Sequence, residues 1–191
     1  MRVGKRLPAA IQPADEGDEL DLVRRAAARD RDAFRALFER HHARVYRYAL
    51  LRVGGDTEAA RDIAQEVFTA VWGGLPGFAP EHTGSFPAWL FGIARNVVGT
   101  HHRKAHRSVP VPDDQLPEGV LEFEGDLVTQ RLLVDALSGL SADQREVLVL
   151  RFLVGLPTSQ VAAAMKRSDG AVTALQIRAL DKLRRRLEVR T

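Results

Sequence analysis

One stretch of the sequence has the side-chain types and spacing that nucleic-acid chemistry requires. Asn96, Thr100, Arg103 and Arg107 fall at i, i+4, i+7 and i+11, so a helix would set an amide, a hydroxyl and two guanidinium groups along one surface. Amides read base edges through paired hydrogen bonds, and guanidinium groups hold phosphates. Arg95 and Lys104 add cations, and no acidic residue occurs from Pro87 to Arg107. Near the C-terminal end Arg178 and Lys182 lie four apart with Arg185 three further on, again placing positive charge on one helical face. A third set, Asp62, Gln65, Glu66 and Thr69, shares the polar face of an amphipathic segment. Its negative charge would repel DNA, which makes a protein its natural partner. Taken singly, each set is also what a solvated helix face looks like.

Catalytic chemistry has no comparable support. GxxxxGK[ST], GxSxG and HExxH are absent, and with no cysteine there is no thiolate nucleophile, disulfide or Cys-based zinc site. The pairs His41-His42 and His101-His102 would diverge by about 100° on a helix. His102 and His106 have i, i+4 spacing but no carboxylate nearby in sequence to complete a ligand set. The expectation is a binding protein, not an enzyme, with no metal and no cofactor.

The elements that must position these groups are helical. Of 191 residues 45% are apolar, 28% charged and 6% aromatic, with Ala, Leu, Val and Arg dominant over strand formers. An all-α protein is expected. The longest aliphatic run, Val147 to Leu150, falls far short of the roughly 20 residues of a membrane span, and the start lacks an apolar signal region. The sequence therefore predicts a cytoplasmic protein with no membrane association and a flexible tail over residues 1–20. Phe34, Leu37, Phe38, Val45 and Ala49 mark an amphipathic helix behind Asp30 and ending near Gly54-Gly55. Ala60, Ile63, Ala64, Val67, Phe68 and Val71 mark a second from Asp56 to Gly73-Gly74. A third runs from Ser85 through Arg103, with Trp89 and Phe86 expected in the core, after a Gly/Pro loop over Gly73 to Gly84.

Ser108 to Asp126 carries six acidic residues, no Lys or Arg, and three prolines, which reads as a linker. Beyond it a short helix around Leu132 to Leu140 precedes a capping box at Ser141-Ala-Asp-Gln144. Then Thr158 to Met165, a four-residue turn at Lys166 to Asp169, and Gly170 to about Leu187 give a helix-turn-helix pattern. The small Ala162, Ala163 and Ala164 fit a first helix that approaches the second closely.

The order and spacing of three motifs, DAFRALFERHHARVYRYAL with DIAQEVFTAVW, FPAWLFGIARNVV, and LSADQREVLVLRF followed by the helix-turn-helix, resemble the extracytoplasmic-function (ECF) sigma factors from about Asp30 to Arg186. The resemblance implies two small helical domains. Residues 21–104 would be sigma region 2, 105–126 an acidic linker that mimics nucleic acid in the RNA-exit path, and 127–191 region 4. It implies that Asp62, Gln65, Glu66 and Thr69 dock on core RNA polymerase. Asn96 and Thr100 would approach a flipped base of the promoter -10 element, with Arg95, Arg103 and Lys104 on phosphates. Gly170, Thr173, Ala174, Ile177, Arg178 and Lys182 would face the -35 element, with Arg184 to Arg186 extending beyond the groove. An anti-sigma factor is a further implied partner. The chain departs from the family at Lys166, where glycine is usual, and at Thr173, where a basic residue is usual. A conventional helix-turn-helix regulator and a helical adaptor that binds only proteins are the alternatives on the residue pattern.

Overall fold

The computed structural model describes residues 13–80, 85–105 and 127–188. Helices α1 (Pro13–Ala27), α2 (Arg31–Arg52), α3 (Thr57–Gly74) and α4 (Phe86–Ala105) form the first unit. The second contains α5 (Leu127–Ser138), α6 (Ala142–Leu148), α7 (Thr158–Met165) and α8 (Asp169–Glu188). No strand occurs among the described residues, so the all-α expectation holds there. The acidic segment expected as a linker, with Arg107 and His106 before it, lies outside the described residues.

Caps fix where the helices start. The Asp30 carboxylate accepts from the backbone N–H groups of Asp32 and Ala33 at 2.9 and 3.1 Å, and Asp56 accepts from Ala59 N at 3.0 Å. Each supplies an acceptor to donors that the first turn leaves unpaired. The capping box at Ser141 and Gln144 closes reciprocally. Gly54 and Gly55 take φ of 70° and 96°, a left-handed path that only glycine follows cheaply, and so turn α2 back toward α3.

The first core gathers Leu37, Val45 and Ala49 of α2, Ile63, Val67 and Val71 of α3, and Leu90, Phe91, Ala94 and Val98 of α4, all buried. Phe86 is buried with them. Trp89 is half-buried, packed against the core with its ring 5.0 Å from that of Phe78. Two sequence expectations need correcting. Residues 13–20, expected in a flexible tail, begin α1, which packs on α2. Val23 and Ala26 are buried, Asp18 pairs with Arg40 at 2.8 Å, and the buried His41 ring meets the Glu19 carboxylate at 2.7 Å. Phe38, expected in the core stripe, is 36% exposed, because α3 covers only part of that side of α2.

In the second unit α6 runs into a π-helical turn, Val149–Leu153, before Gly155 ends it. Val147, Leu150, Leu156, Val161, Met165, Val172 and Ala179 are buried. The helix-turn-helix forms as expected, and its three alanines differ in exposure. Ala163 is exposed, while Ala162 and Ala164 are buried. Ala164 meets α4 of the other unit at Gly92: a Cβ on that glycine would lie 3.9 Å from the Ala164 carbonyl oxygen. Small residues on both sides let the two backbones come close.

Candidate nucleic-acid and protein interfaces

On α4 the predicted polar surface is present. Asn96, Arg103 and Lys104 are exposed and Thr100 is half-buried. The Thr100 hydroxyl donates to the Asn96 carbonyl at 3.1 Å and accepts from Arg103 Nη2 at 2.9 Å, so these residues form one connected patch. The buried stripe on the opposite side, Leu90, Phe91, Ala94, Val97 and Val98, fixes which way this patch points. Arg95 behaves differently. It is half-buried and lies 3.8 Å from Asp143 of α6, a carboxylate that also pairs with Arg167. His102 turns inward: its Nε2 lies 3.1 Å from the Arg52 carbonyl oxygen, to which an N–H donates, and burial pulls its pKa below the usual imidazole range.

On α8, Gly170, Thr173, Ala174, Ile177, Arg178 and Lys182 are all exposed, so the six predicted residues share the solvent side of the helix. Ile177 is 55% exposed and Leu180, three residues on, 41%, so two large apolar side chains are left without cover on this side of the helix. Thr173 Oγ1 donates to the Asp169 carbonyl at 2.9 Å and Arg178 Nε to the Ala174 carbonyl at 3.1 Å, which holds both close to the helix. The helix starts on Ser168, whose hydroxyl accepts from Ala171 N at 3.3 Å. Arg186 does not extend outward; its guanidinium folds back over Gly139 to the Ser138 hydroxyl at 3.4 Å.

On α3, Asp62, Gln65, Glu66 and Thr69 are exposed on one face. Sequence reasoning missed what lies beside it. Gln65 and Thr69 form one wall of a groove of about 810 Å³ whose other wall is α2, with Arg31, Arg35, Phe34 and Phe38, and whose floor includes Phe68 and Trp72. Arg61 also lines it, and burial pulls the His42 ring on the groove below the usual imidazole range, leaving it neutral at neutral pH. The i, i+4 pairs Arg31/Arg35 and Phe34/Phe38 were the available signal, since they place two cations and two rings on adjacent stripes of α2. The surface is therefore acidic along one edge and aromatic and basic along the other. Among the described residues no three His, Asp or Glu gather as a metal site, and no helix is long and apolar enough to cross a membrane.

Comparison with known families decides between the readings these faces allow. The description of sigma-70 region 2 matches residues 37–108, and that of sigma-70 region 4 matches residues 136–185. The chain is 38% identical over 181 residues to the ECF RNA polymerase sigma factor SigD of Mycobacterium tuberculosis, spanning 88% of this chain and 84% of that protein. The chain belongs to the ECF RNA polymerase sigma factors. It is also 35% identical over 188 residues to the sigma factor BldN of Streptomyces coelicolor, covering 95% of this chain and 70% of that one. Among solved structures it is similar to CnrH in complex with the cytosolic domain of CnrY, with a TM-score of 0.71, 27% identity, and 91% of this chain and 99% of that chain covered. The sigma factor RpoE of Bartonella quintana, solved with the anti-sigma factor NepR, gives a TM-score of 0.66 at 28% identity over 82% of this chain and 97% of that one. As an ECF sigma factor the chain works with core RNA polymerase in promoter recognition and transcription initiation. The region 2 match takes in α3 and α4, and the region 4 match takes in the helix-turn-helix, so all three candidate faces fall inside the matched segments.

Proposed function

We propose that the three exposed faces divide the work of initiation. The α3 face at Asp62, Gln65, Glu66 and Thr69 docks on core RNA polymerase, with the aromatic groove between α2 and α3 widening that contact. Complementary charge sets the register of such an interface, and buried rings supply its anchors. The patch on α4 takes the opened -10 element: Asn96 and Thr100 lie toward a base, and Arg103, Lys104 and, once released from Asp143, Arg95 lie toward phosphates. The exposed side of α8 enters the major groove at the -35 element. Gly170, Thr173 and Ala174 allow close approach at its leading end, Ile177 meets the apolar edge of a thymine, and Arg178 and Lys182 reach guanine or phosphate. The chain acts by binding rather than by catalysis, and works in the cytoplasm. Its similarity to a sigma factor solved with an anti-sigma factor supports regulation by a partner of that kind.

The observation that carries this assignment is that each face is exposed on a helix whose opposite side is fixed in a core, so the groups are held in place without being needed for folding. Run-off transcription with core polymerase tests it, using promoter templates altered at the -10 or -35 element. Arg178→Ala should lose preference only at the -35 element, or weaken binding to all templates with a salt slope reduced by about one. Normal affinity and normal -35 preference across salt concentrations would remove α8 from the groove.

A further inference from the structure

The side of α8 that faces solvent most directly is short of hydrogen-bond donors. At about 100° per residue, Gly170, Thr173, Ala174, Ile177 and Asp181, all exposed, fall within about 100° of one another, opposite the buried Val172 and Ala179. No side chain on this stripe carries an N–H. Thr173 has its one hydroxyl, whose hydrogen is committed to the Asp169 carbonyl at 2.9 Å, so toward a ligand it offers only oxygen lone pairs and a methyl. Ala174 and Ile177 offer hydrocarbon alone. The single amide side chain of α8, Gln176, is half-buried on the flank, where its Oε1 accepts from Arg151 Nε of the π-helical turn at 3.4 Å. Arg178 stands at the rim of the stripe, about 80° from Gly170, with its Nε held by the Ala174 carbonyl at 3.1 Å.

Base edges in the major groove ask for different chemistry. Guanine shows two acceptors and needs a donor, adenine shows an acceptor beside a donor and is met by an amide, and thymine alone among the bases presents a methyl group. The stripe has neither the donors for guanine nor the amide for adenine. Its methyl groups match thymine. Reach agrees with this: Gly170 to Ile177 covers about 10 Å of helix at 1.5 Å per residue, against a groove about 12 Å wide. Asp181, one turn further along the same stripe, carries a negative charge that phosphates repel, which limits entry to the N-terminal turns of α8.

We propose that this chain selects its -35 element through thymine methyl groups, with Thr173, Ala174 and Ile177 as the residues that determine specificity and Arg178 as the single cation close to the bases. The proposal rests on the placement of α8 in the major groove and goes beyond it by naming what is read there. About 10 Å of stripe spans about three base pairs at 3.4 Å each. The preferred sequence therefore carries at least two thymines, on either strand, within three consecutive pairs. A methyl contact involves no charge, so discrimination at these positions stays constant with salt while total affinity falls.

Holoenzyme made from the full-length chain and core RNA polymerase is first used to select promoters from a library randomised over the -35 element. Each thymine of the selected sequence is then replaced by deoxyuracil, which removes the methyl and keeps every hydrogen-bonding group. At least two of these replacements should each weaken binding by about fourfold, the worth of one buried carbon, by the same factor at low and high salt. Deoxyuracil placed outside the -35 element is the control and should have no effect. Thr173→Ser, which keeps the hydroxyl and drops the methyl, and Ile177→Ala should each abolish methyl dependence at one thymine and leave it at the others. Both positions are exposed, so the fold tolerates the changes. A selected sequence without such a thymine pair, or thymines that all accept deoxyuracil without loss, overturns the proposal and leaves α8 in the groove. Methyl dependence that both variants retain in full overturns the choice of residues. If no -35 position is preferred at all, the placement of α8 fails and the proposal with it.

Discussion

Lys166 sits in the turn of the helix-turn-helix with φ 53° and ψ 49°, the left-handed conformation. Replacing it with glycine should stabilise the protein. A side chain in this conformation costs about 1–2 kcal/mol because Cβ crowds the following carbonyl. Glycine escapes that cost but loses about 0.5–1 kcal/mol more chain entropy on folding than alanine does. The difference leaves about 0.5–1 kcal/mol in favour of Lys166→Gly. Nothing else should change: Lys166 is exposed, and the bonds that close α7, from Lys166 N to the Ala163 carbonyl at 3.2 Å and from Arg167 N to the Ala162 carbonyl at 2.9 Å, are backbone bonds. Urea unfolding measures it, with a midpoint rise of about 0.2–1 M for slopes of 1–3 kcal/mol/M. Lys166→Ala is the control, since it removes the charge and keeps the Cβ, and it should stay at the wild-type midpoint. A glycine variant no more stable than wild type, or an alanine variant that gains as much, would show that the backbone conformation is not what limits this turn.

Glu66→Lys should weaken holoenzyme formation by on the order of 1 kcal/mol, about fivefold, while the melting temperature of the free chain stays nearly constant because the site is exposed; unchanged polymerase affinity would exclude the α3 face. Asn96→Ala should erase discrimination at one position of the -10 element, worth about 1–3 kcal/mol, whereas Arg103→Ala should weaken all templates alike. Competition between promoter variants in the holoenzyme separates the two, and unaltered preference in Asn96→Ala would refute the base assignment. Burial pushes the Glu146 carboxyl above its ordinary pKa, against the opposing pull of Arg52, Tyr48 and Arg95. A carboxyl raised in the folded state holds its proton more tightly there, so its stabilising contribution is complete below the ordinary carboxylate range and is lost as pH rises through the raised value. The stability of wild type relative to Glu146→Gln should therefore fall with rising pH across that interval, as read by denaturant titrations at each pH; a constant difference would mean that burial does not control this carboxyl.

Helices α2, α3 and α4 and the helix-turn-helix can be read from the sequence because their signals are local. Asp30, Asp56 and Ser141 cap within three residues, and the apolar stripes repeat within one helix. The polar patches on α3, α4 and α8 follow from the same periodicity, since whatever lies opposite a buried stripe is exposed. Helix α1 escaped notice because its apolar residues, Leu20, Leu22, Val23 and Ala26, follow an acidic stretch and are broken by Arg24 and Arg25, and part of its support comes from Glu19 meeting His41 and Asp18 meeting Arg40, each 22 positions away. The groove beside α3 was hidden for a related reason: Phe34 and Phe38 satisfy a core pattern on α2, and only the packing of α3 shows that Phe38 stays at the surface. Arg95 looked like its basic neighbours on α4, yet Asp143 faces it across the seam. Tyr48 and Glu146, 98 positions apart, carry no sequence sign of meeting.

The seam between the two units joins a polar centre, Tyr48, Arg52 and Glu146, to apolar packing that continues from one unit into the other. An ion pair taken out of water gains little net stability over the same groups hydrated, because desolvation offsets most of the attraction. The apolar packing around that centre holds the units more firmly, at about 25 cal/mol per Å² of surface removed from water. In this cluster the Tyr48 hydroxyl satisfies one Glu146 oxygen, while the other faces Arg52 Nε at 3.1 Å as an ion pair without a hydrogen bond, so the cluster adds direction at a desolvation cost and with a small overall gain. The close pass of Gly92 by Ala164 contributes in the same sense, since glycine and alanine present little apolar area to separate. On α4 this leaves three duties on one 20-residue helix: Phe91, Ala94 and Val98 anchor it in the first core, Gly92 and Arg95 face the second unit, and Asn96 to Lys104 remain outside.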